Sequence, residues 1–355
     1  MLAESNYTQE HILRVRENRK IDPALLERTI YAFGLLEALV RVGLPFVFKG
    51  GTCLMLLLDR PRRLSTDIDI IVKPGISVDE YIEAAAQIFP FRGREEQIRK
   101  GKNGIVKRHF KFVYDSPLTG QPFYILLDVL FEENPYSRLL QKHISNELLA
   151  IVEPYFSVNV PSVNCILGDK LTAFAPHTTG IPFGIGKELE IIKQLYDVAS
   201  LTEVMDSFQD VHDSYFTAVQ SELRYRGLSI APEGVLLDTI HSAICVACRG
   251  TVNAEEYAHY MSGIRKLANF TFYEKFSGEL AIAAACRVMY VAACVLTNTE
   301  FSMFGDLSVY AGEKIADARY KIFGSLRKLD LKSYAYAVET FKILGKNDSD
   351  KKLNQ

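Results

Sequence analysis

The chain has 355 residues, of which 48% are hydrophobic and 24% are charged. These values exclude wholesale disorder and a fibrous repeat, and the length suits two domains of ordinary size. The 41 Lys and Arg residues nearly balance the 43 Asp and Glu residues. The totals therefore show no polyanion-binding tail, although a local basic patch is compatible with a neutral sum.

Cysteine usage and hydropathy predict a cytoplasmic protein with no membrane association. The six cysteines are scattered in apolar surroundings, which favours a reducing compartment over a secreted disulfide scaffold. Residues 1–20 are too polar for a signal peptide. The most apolar stretch, residues 280–297, contains Arg287 and is shorter than the roughly 20 residues of a spanning helix, so we expect a buried helix there.

The first half of the sequence predicts helices that alternate with strands. Asp22 and Pro23 cap and start a helix that Gly43 ends. The next predicted elements are strand 45–48, a glycine turn at 49–51, helix 52–58, strand 67–72, helix 77–89, strand 109–114 and strand 123–131. From about Ile166 the pattern becomes helical. We therefore predict an α/β (α+β) domain over residues 1–160, an all-α domain over 161–345 and a disordered tail over 346–355.

Asp67 and Asp69 are the most informative residues of this pattern. Residues two apart on a strand point to the same face, so the two carboxylates can share one site. Adjacent acids repel each other unless a cation neutralises them, and oxygen-only ligation suits Mg²⁺ together with substrate phosphates. Taken alone the pair is weak evidence, because most Asp-X-Asp triplets are explained by a solvated strand edge.

The elements around the acid pair favour a phosphate site. Gly50 and Gly51 allow the backbone to approach phosphate oxygens, amides at a helix start point toward an anion, and the Thr52 hydroxyl adds one donor. A third acid, Asp128, lies in the middle of a strand, where an unpaired carboxylate is costly unless it faces a polar site. Asp128 is therefore a candidate third member of a metal-binding triad.

The sequence then shows a resemblance to a known family. One part of the chain consists of Lys49-Gly50-Gly51-Thr52 followed by Arg63-Leu64-Ser65-Thr66-Asp67-Ile68-Asp69. It resembles the first motif of the polymerase-β-type nucleotidyltransferases, specifically the AbiEii toxin group of type IV toxin–antitoxin and phage-abortive systems. Residues 167–174 around Lys170 resemble the second motif of the group, and residues 193–201 around Asp197 resemble its downstream aspartate element. This chain has Gln194 where the group often carries an acid, so Asp197 is the carboxylate that is carried over.

The resemblance implies a nucleotidyltransferase domain with a mixed sheet and a helical domain that completes the active-site cleft. Asp67, Asp69 and Asp128 would hold two Mg²⁺ ions, with Asp128 also near the attacking hydroxyl. Lys170 would neutralise the β- and γ-phosphates, and Asp197 would orient Lys170 or contact the nucleotide. These five are the candidate catalytic residues. The implied nucleotide-binding residues are Lys49, Gly50, Gly51, Thr52 and Ser65.

Two further segments have signals with open alternatives. The glycine-rich loop at residues 177–188 is not a Walker A loop; it predicts a nucleotide contact by Lys187, or else a plain connection between helices. Residues 92–111 carry eight Lys or Arg interleaved with aromatic residues, which predicts an RNA-binding patch, or else a solvated loop. The candidate RNA contacts are Arg99, Lys100, Lys102, Lys107 and Arg108.

These observations predict a Mg²⁺-dependent nucleotidyltransferase that moves a nucleoside monophosphate from an NTP to an acceptor and releases pyrophosphate. By resemblance, the chain is the toxin of a toxin–antitoxin or phage-defence system, with tRNA as acceptor and a cognate antitoxin protein as partner. Two alternatives stay open. One is transfer to a protein or to a small molecule such as an antibiotic, and the other is a non-catalytic protein that keeps the fold for binding.

Overall fold

The chain folds into two compact units in the computed structural model, which describes residues 1–17, 21–97, 106–315 and 318–353. The first unit comprises Met1–Ser162 together with Asn269–Lys275, and the second comprises Val163–Ala268 together with Phe276–Gln355. The first unit is thus built from two separate stretches of sequence, whereas the sequence predicted a single division between residues 160 and 161.

In the first unit, the helices lie before residue 87, and the described elements that follow them are all strands. Its helices are α1 (Gln9–Arg16), α2 (Pro23–Arg41), α3 (Gly50–Leu57) and α4 (Asp79–Ala86). Its strands are β1 (Val47–Lys49), β2 (Ile68–Val72), β3 (Gly93–Gln97), β4 (Lys107–Asp115), β5 (Pro122–Phe131), β6 (Leu139–His143) and β7 (Ser157–Pro161). The α2 helix begins where predicted, because the Asp22 carboxylate accepts a hydrogen bond from the amide of Ala24 at 2.8 Å and Pro23 occupies the first turn.

Five of these strands form one mixed sheet in the order β1-β2-β5-β4-β3, and β6 and β7 form a separate antiparallel pair. Within the large sheet β2 and β5 are parallel, whereas the other neighbouring strands are antiparallel. The predicted α/β class with a mixed sheet is therefore confirmed. The single parallel contact joins the two strands that carry the predicted acids.

The large sheet has one buried face and one more open face. On the buried side, the ring of Tyr31 in α2 stacks on the ring of Tyr114 in β4, with centroids 3.7 Å apart. The buried Glu27 of α2 accepts a hydrogen bond from the Tyr114 hydroxyl at 2.9 Å. Burial alternates along β5, where every second residue from Tyr124 to Leu130 is partly exposed and the residues between are buried. Asp128 is one of the partly exposed residues, so it lies on the open face.

All described secondary-structure elements of the second unit are helices, which confirms the predicted all-α region. The α-helices are α5 (Val163–Leu171), α6 (Glu188–Thr202), α7 (Phe208–Arg226), α8 (Pro232–Ala247), α9 (Ala254–Leu267), α10 (Gly278–Thr297), α11 (Leu326–Leu329) and α12 (Leu331–Leu353), and short 3₁₀ segments occupy Ser308–Ala311 and Ala318–Ser325. The α10 helix is long and apolar enough to cross a membrane by length and composition alone, yet 72% of its most apolar window is buried inside the protein. A core helix, as predicted, passes the same test.

Several parts of the fold differ from the sequence prediction. Gly93–Gln97, for which no strand was predicted, pairs antiparallel with Lys107–Asp115, which contains the predicted strand 109–114. The β6–β7 pair was not predicted. The last helix extends to Leu353, into the segment 346–355 for which a disordered tail was predicted, while residues 354–355 lie outside the described chain.

Candidate active site

A row of polar side chains crosses the open face of the large sheet. Lys49 of β1 is in register with Asp69 of β2, and Asp69 is in register with Asp128 of β5. Asp128 in turn lies opposite His109 of β4. In-register residues of adjacent strands project to the same face, and such strands are about 4.8 Å apart. Asp69 and Asp128 are therefore side by side, with a lysine and a histidine as their outer neighbours; we call these four residues the acid row.

The turn before α3 brings the backbone against Asp69. Gly50 has a φ of +82°, in the left-handed region that glycine adopts at little cost. A Cβ atom at this position would overlap the Asp69 carboxylate, because the glycine backbone lies directly against that side chain. Glycine alone satisfies both conditions. Gly50 therefore allows the Asp69 carboxylate to lie at the N-terminus of α3.

Replacing Gly50 by Ala is expected to lower the free energy of unfolding by at least about 3 kcal/mol, because φ strain and steric overlap add. The rate of nucleotidyl transfer should also fall, because the Asp69 carboxylate must move away from the added methyl group. Thermal unfolding and a transfer assay measure the two effects.

Gly120→Ala is the matched control: Gly120 has a φ of +69° and nothing within 4 Å of an added Cβ. The control should cost only about 1–2 kcal/mol and leave transfer unchanged. Equal losses in both variants would contradict the close approach of Gly50 to Asp69.

The loop that carries the first motif folds over Gly51. A Cβ atom on Gly51 would lie 2.7 Å from Nη2 of Arg63 and 2.9 Å from Oγ of Ser65. Arg63 is buried, and its Nη1 donates a hydrogen bond to the carbonyl oxygen of Leu64 at 3.1 Å. Ser65 thus lies beside the glycine turn, and its contact with a nucleotide stays a prediction.

Thr52 has a different environment from the one expected of a phosphate donor. Its side chain is fully buried, and its hydroxyl donates to the carbonyl oxygen of Asp67 at 2.6 Å. The hydroxyl proton is therefore used inside the protein, where it fixes the backbone just before β2. The Asp67 side chain is held as well, because its Oδ1 accepts from Thr66 Oγ1 at 3.3 Å. Thr66 Oγ1 in turn accepts from Arg28 at 3.2 Å.

A distant stretch of the chain supports this motif loop. The amide of Leu64 donates to the carbonyl oxygen of Phe270 at 2.8 Å, and the amide of Phe272 donates to the carbonyl oxygen of Arg62 at 3.1 Å. The guanidinium of Arg60 lies 4.4 Å from the centroid of a further aromatic ring in this stretch, that of Tyr273. The segment Asn269–Lys275 therefore pairs with the loop that leads into Asp67.

His109 is a member of the acid row that the sequence interpretation did not assign. Its Nδ1 lies 2.6 Å from Oδ1 of Asp128. In the sequence His109 belongs to the basic run, and its alternation with Lys107 and Lys111 shows only that the three share a strand face. Their position next to Asp128 depends on the pairing of β4 with β5, which the sequence alone does not reveal.

The acid row fits an oxygen-liganded divalent cation that a substrate helps to bind. Within the described residues, no group of three or more His, Cys, Asp or Glu side chains is arranged to hold a metal ion by itself. Magnesium in nucleotide enzymes is usually held by one or two carboxylates, with phosphates and waters as the other ligands. Asp69 and Asp128, on the open face and with Gly50 at a helix N-terminus beside them, would provide those carboxylates.

The other two candidate catalytic residues are in the second unit and contact each other. Lys170, in the last turn of α5, has its Nζ 3.0 Å from Oδ2 of Asp197, and the same Nζ donates to Oε1 of Gln194 at 2.8 Å. The Asp197 side chain is only 1% exposed. Asp197 is therefore a buried partner of Lys170 and not an acid of the helix surface. Gln194, at the position where the group often has an acid, keeps an oxygen acceptor for the lysine.

The remaining residues predicted to contact nucleotide or RNA belong neither to the acid row nor to the Lys170–Asp197 pair. Lys187 is exposed and precedes the first residue of α6. Arg99, Lys100 and Lys102 lie outside the described residues. Lys107 is exposed at the start of β4, two residues before His109, and projects from the open face. The nucleotide contact of Lys187 stays a prediction.

Arg108 projects from the opposite face of the sheet. It is in register with the buried Val129, and its Nε donates to Oε1 of Glu96 at 2.7 Å while its Nη2 donates to Oδ1 of Asp79 at 2.8 Å. These hydrogen bonds hold the pKa of both carboxyl groups below their ordinary values, so both acids stay ionised at neutral pH. A guanidinium shared by two carboxylates argues against the predicted RNA contact of Arg108.

A mixed sheet that carries carboxylates on adjacent strands beside a glycine turn has the arrangement expected of an enzyme that acts on nucleotide phosphates. A sequence model of the family described as nucleotidyl transferase AbiEii toxin, type IV TA system, matches residues 34–264. This range is more than half of the 355 residues, so the chain belongs to the AbiEii nucleotidyltransferase toxin family. It is a nucleotidyltransferase, and its family implies an NTP substrate and a cognate antitoxin.

Two solved structures from Helicobacter pylori are similar to the chain. One is JHP933, with 12% identity and a TM-score of 0.45 over 77% of this chain and 94% of that chain. The other is a candidate nucleotidyltransferase, with 11% identity and a TM-score of 0.43 over 77% of this chain and 96% of that chain. A search of curated proteins finds no match.

Proposed function

We propose that the protein transfers a nucleoside monophosphate from an NTP to tRNA in a Mg²⁺-dependent reaction, and that this transfer is its toxic activity. The observation that carries the proposal is the register of Asp69 with Asp128 on adjacent parallel strands, beside the Gly50 turn. Two neighbouring carboxylates next to a helix N-terminus suit a magnesium site that phosphates complete. Family membership supports nucleotidyl transfer, and the charge of the open face supports an RNA acceptor.

The proposed reaction is an in-line displacement at the α-phosphorus of the NTP. An acceptor hydroxyl oxygen forms a bond to the α-phosphorus and loses its proton to solvent, the bond to the bridging oxygen breaks, and pyrophosphate leaves with the electron pair. Bound magnesium would supply positive charge that stabilises the transferring phosphoryl group. Asp69 and Asp128 would hold the cation, with Asp67 as the third proposed ligand. The backbone at Gly50 and Gly51 favours a phosphate group at the start of α3.

Two lysines on the open face support a polyanionic acceptor. Lys107 and Lys111 lie on either side of His109 at two-residue spacing on β4, so all three project to the face that carries the acids. Nζ of Lys111 lies 4.5 Å from the centroid of the Tyr124 ring on β5. Cations and an aromatic ring beside the acids suit the phosphates and bases of RNA.

The double substitution Lys107→Gln with Lys111→Gln is expected to weaken binding of total tRNA and to reduce the slope of log affinity against log salt by about 2, since each lysine neutralises about one phosphate. Filter binding over a range of salt concentrations measures this slope. The charge-matched control replaces Lys73 and Lys142, which lie elsewhere in the first unit. Arg108→Gln should leave the slope unchanged, because Arg108 projects from the other face. An unchanged slope in the Lys107 and Lys111 variant would exclude these lysines from the RNA interface.

Incubation of the protein with Mg²⁺, each labelled NTP in turn and total RNA tests the proposed function. We expect label in the tRNA fraction, with one NTP preferred, and no label when the cation is chelated. Label on a protein or on an antibiotic would instead support the alternative acceptors. If no acceptor is labelled by the wild-type protein under any condition that binds NTP, the proposed transfer is wrong and the non-catalytic alternative gains support.

A further inference from the structure

His109 and Asp128 form a defined pair within the acid row. The two residues lie directly opposite each other in the antiparallel β4–β5 pair. Nδ1 of His109 is 2.6 Å from Oδ1 of Asp128, a short distance in keeping with the shortening of hydrogen bonds that a carboxylate accepts. An ionised carboxylate only accepts hydrogen bonds, so this bond assigns the proton to Nδ1. The second carboxylate oxygen, Oδ2, stays outside the bond.

The burial of the two side chains indicates which of them orients the other. The His109 side chain is 12% exposed, whereas the Asp128 side chain is 39% exposed. The imidazole is thus enclosed by its neighbours, and the carboxylate extends from it toward the open face. Among the described residues, His109 is the one hydrogen-bond partner of the Asp128 side chain. Without it, the terminal torsion of Asp128 would be broad rather than fixed.

We propose that His109 is a positioning residue for nucleotidyl transfer. Its Nδ1–H fixes the Asp128 carboxylate, so that Oδ2 is held ready for an oxygen-liganded divalent cation. This inference rests on the proposed function of the acid row. Groups that hydrogen-bond to metal-binding carboxylates set ligand orientation, and their loss typically costs about 10–100-fold in metal affinity or activity.

Three substitutions at His109 separate positioning from packing. His109→Asn keeps an N–H donor near the position of Nδ1, whereas His109→Leu removes the donor and keeps an apolar body. His109→Gln places its amide farther out, near the position of Nε2, and so gives a polar variant without the required donor. The matched control is His143, whose Nδ1 lies 2.9 Å from Oγ of Ser157 across the β6–β7 pair. His143→Asn and His143→Leu remove a cross-strand histidine away from the acid row.

The test measures Mn²⁺ affinity by electron paramagnetic resonance, kcat and KM for the NTP in the RNA-labelling assay, and Tm. We expect His109→Leu and His109→Gln to weaken Mn²⁺ binding and to lower kcat by about 10–100-fold each, with KM for the NTP nearly unchanged. His109→Asn should retain most of both quantities, and the His143 variants should match the wild type. If the leucine variant melts early, the comparison of Asn with Gln still decides the question.

Two outcomes would overturn the proposal. One is wild-type Mn²⁺ affinity and kcat in His109→Gln. The other is equal impairment of His109→Asn and His109→Gln at an unchanged Tm. The Mn²⁺ titration requires neither RNA nor turnover, so its result is independent of the acceptor. A wild-type protein that binds Mn²⁺ and labels no RNA would refute the proposed function alone, whereas full activity of His109→Gln would refute the role of His109 alone.

Discussion

Replacing Asp69 by Asn is expected to lower the rate of nucleotidyl transfer by on the order of 10²–10³-fold while the fold is retained. The amide keeps the shape of the side chain that lies against Gly50 but removes the charge that a divalent cation requires. It also removes one of two like charges on neighbouring strands, so the free energy of unfolding in metal-free buffer should fall by no more than about 1 kcal/mol. Single-turnover transfer and thermal unfolding measure the two quantities.

The matched control is Asp59→Asn, the same chemical change at an exposed acid of the first unit, which should transfer nucleotide at the wild-type rate. Mg²⁺ with a non-reactive NTP analogue at 100 times its Kd should stabilise the wild-type protein by about 2.7 kcal/mol and the Asp69→Asn protein much less. An Asp69→Asn protein whose transfer rate stays within tenfold of the wild type would show that the acid row is not the catalytic site.

Replacing Asp197 by Ala is expected to lower the free energy of unfolding by about 3–5 kcal/mol, because it removes one partner of a buried ion pair. The Lys170 side chain is 11% exposed, and its ammonium group would keep the Gln194 amide oxygen as a partner without an opposing charge from Asp197. Chemical denaturation measures the loss. Asp213→Ala is the control, since that acid is 65% exposed and its removal should cost less than about 0.5 kcal/mol.

A double variant, Lys170→Met with Asp197→Leu, separates stability from function at this pair. Removing both charges should cost less stability than Asp197→Ala alone, because no buried cation is left without its counter-ion. The double variant should nevertheless lose transfer activity, since the predicted phosphate contact of Lys170 is gone. A stably folded double variant with wild-type transfer would contradict that role for Lys170.

The parts of the structure that follow from local signals were predicted from the sequence. The capped start at Asp22 and Pro23 depends on residues that are close in the chain, and α2 begins there. The alternating β-branched residues of β2 and the glycine turn at Gly50 likewise depend on residues that are close in the chain. The Asp67 and Asp69 motif was found for this reason, since its spacing and its preceding turn lie within one short stretch.

The parts that depend on pairing between distant strands were not predictable in the same way. The face of Asp128 is set by the β2–β5 register, and a shift of one residue would turn it into the buried side. His109 joins the acid row only through the β4–β5 register. Arg108, its immediate neighbour, projects from the other face. The described residues of the basic run on β4 are therefore divided between two faces of the sheet, although the sequence presents the run as one patch.

The pairing of Asn269–Lys275 with the motif loop has a consequence for the newly made protein. During synthesis, Ser162 leaves the ribosome more than 100 residues ahead of Lys275, an interval on the order of 10 s at ordinary rates of elongation. Until then the amide of Leu64 and the carbonyl oxygen of Arg62 lack their partners from Phe270 and Phe272. We expect the first unit to be completed only after the whole intervening segment, Val163–Ala268, has been synthesised.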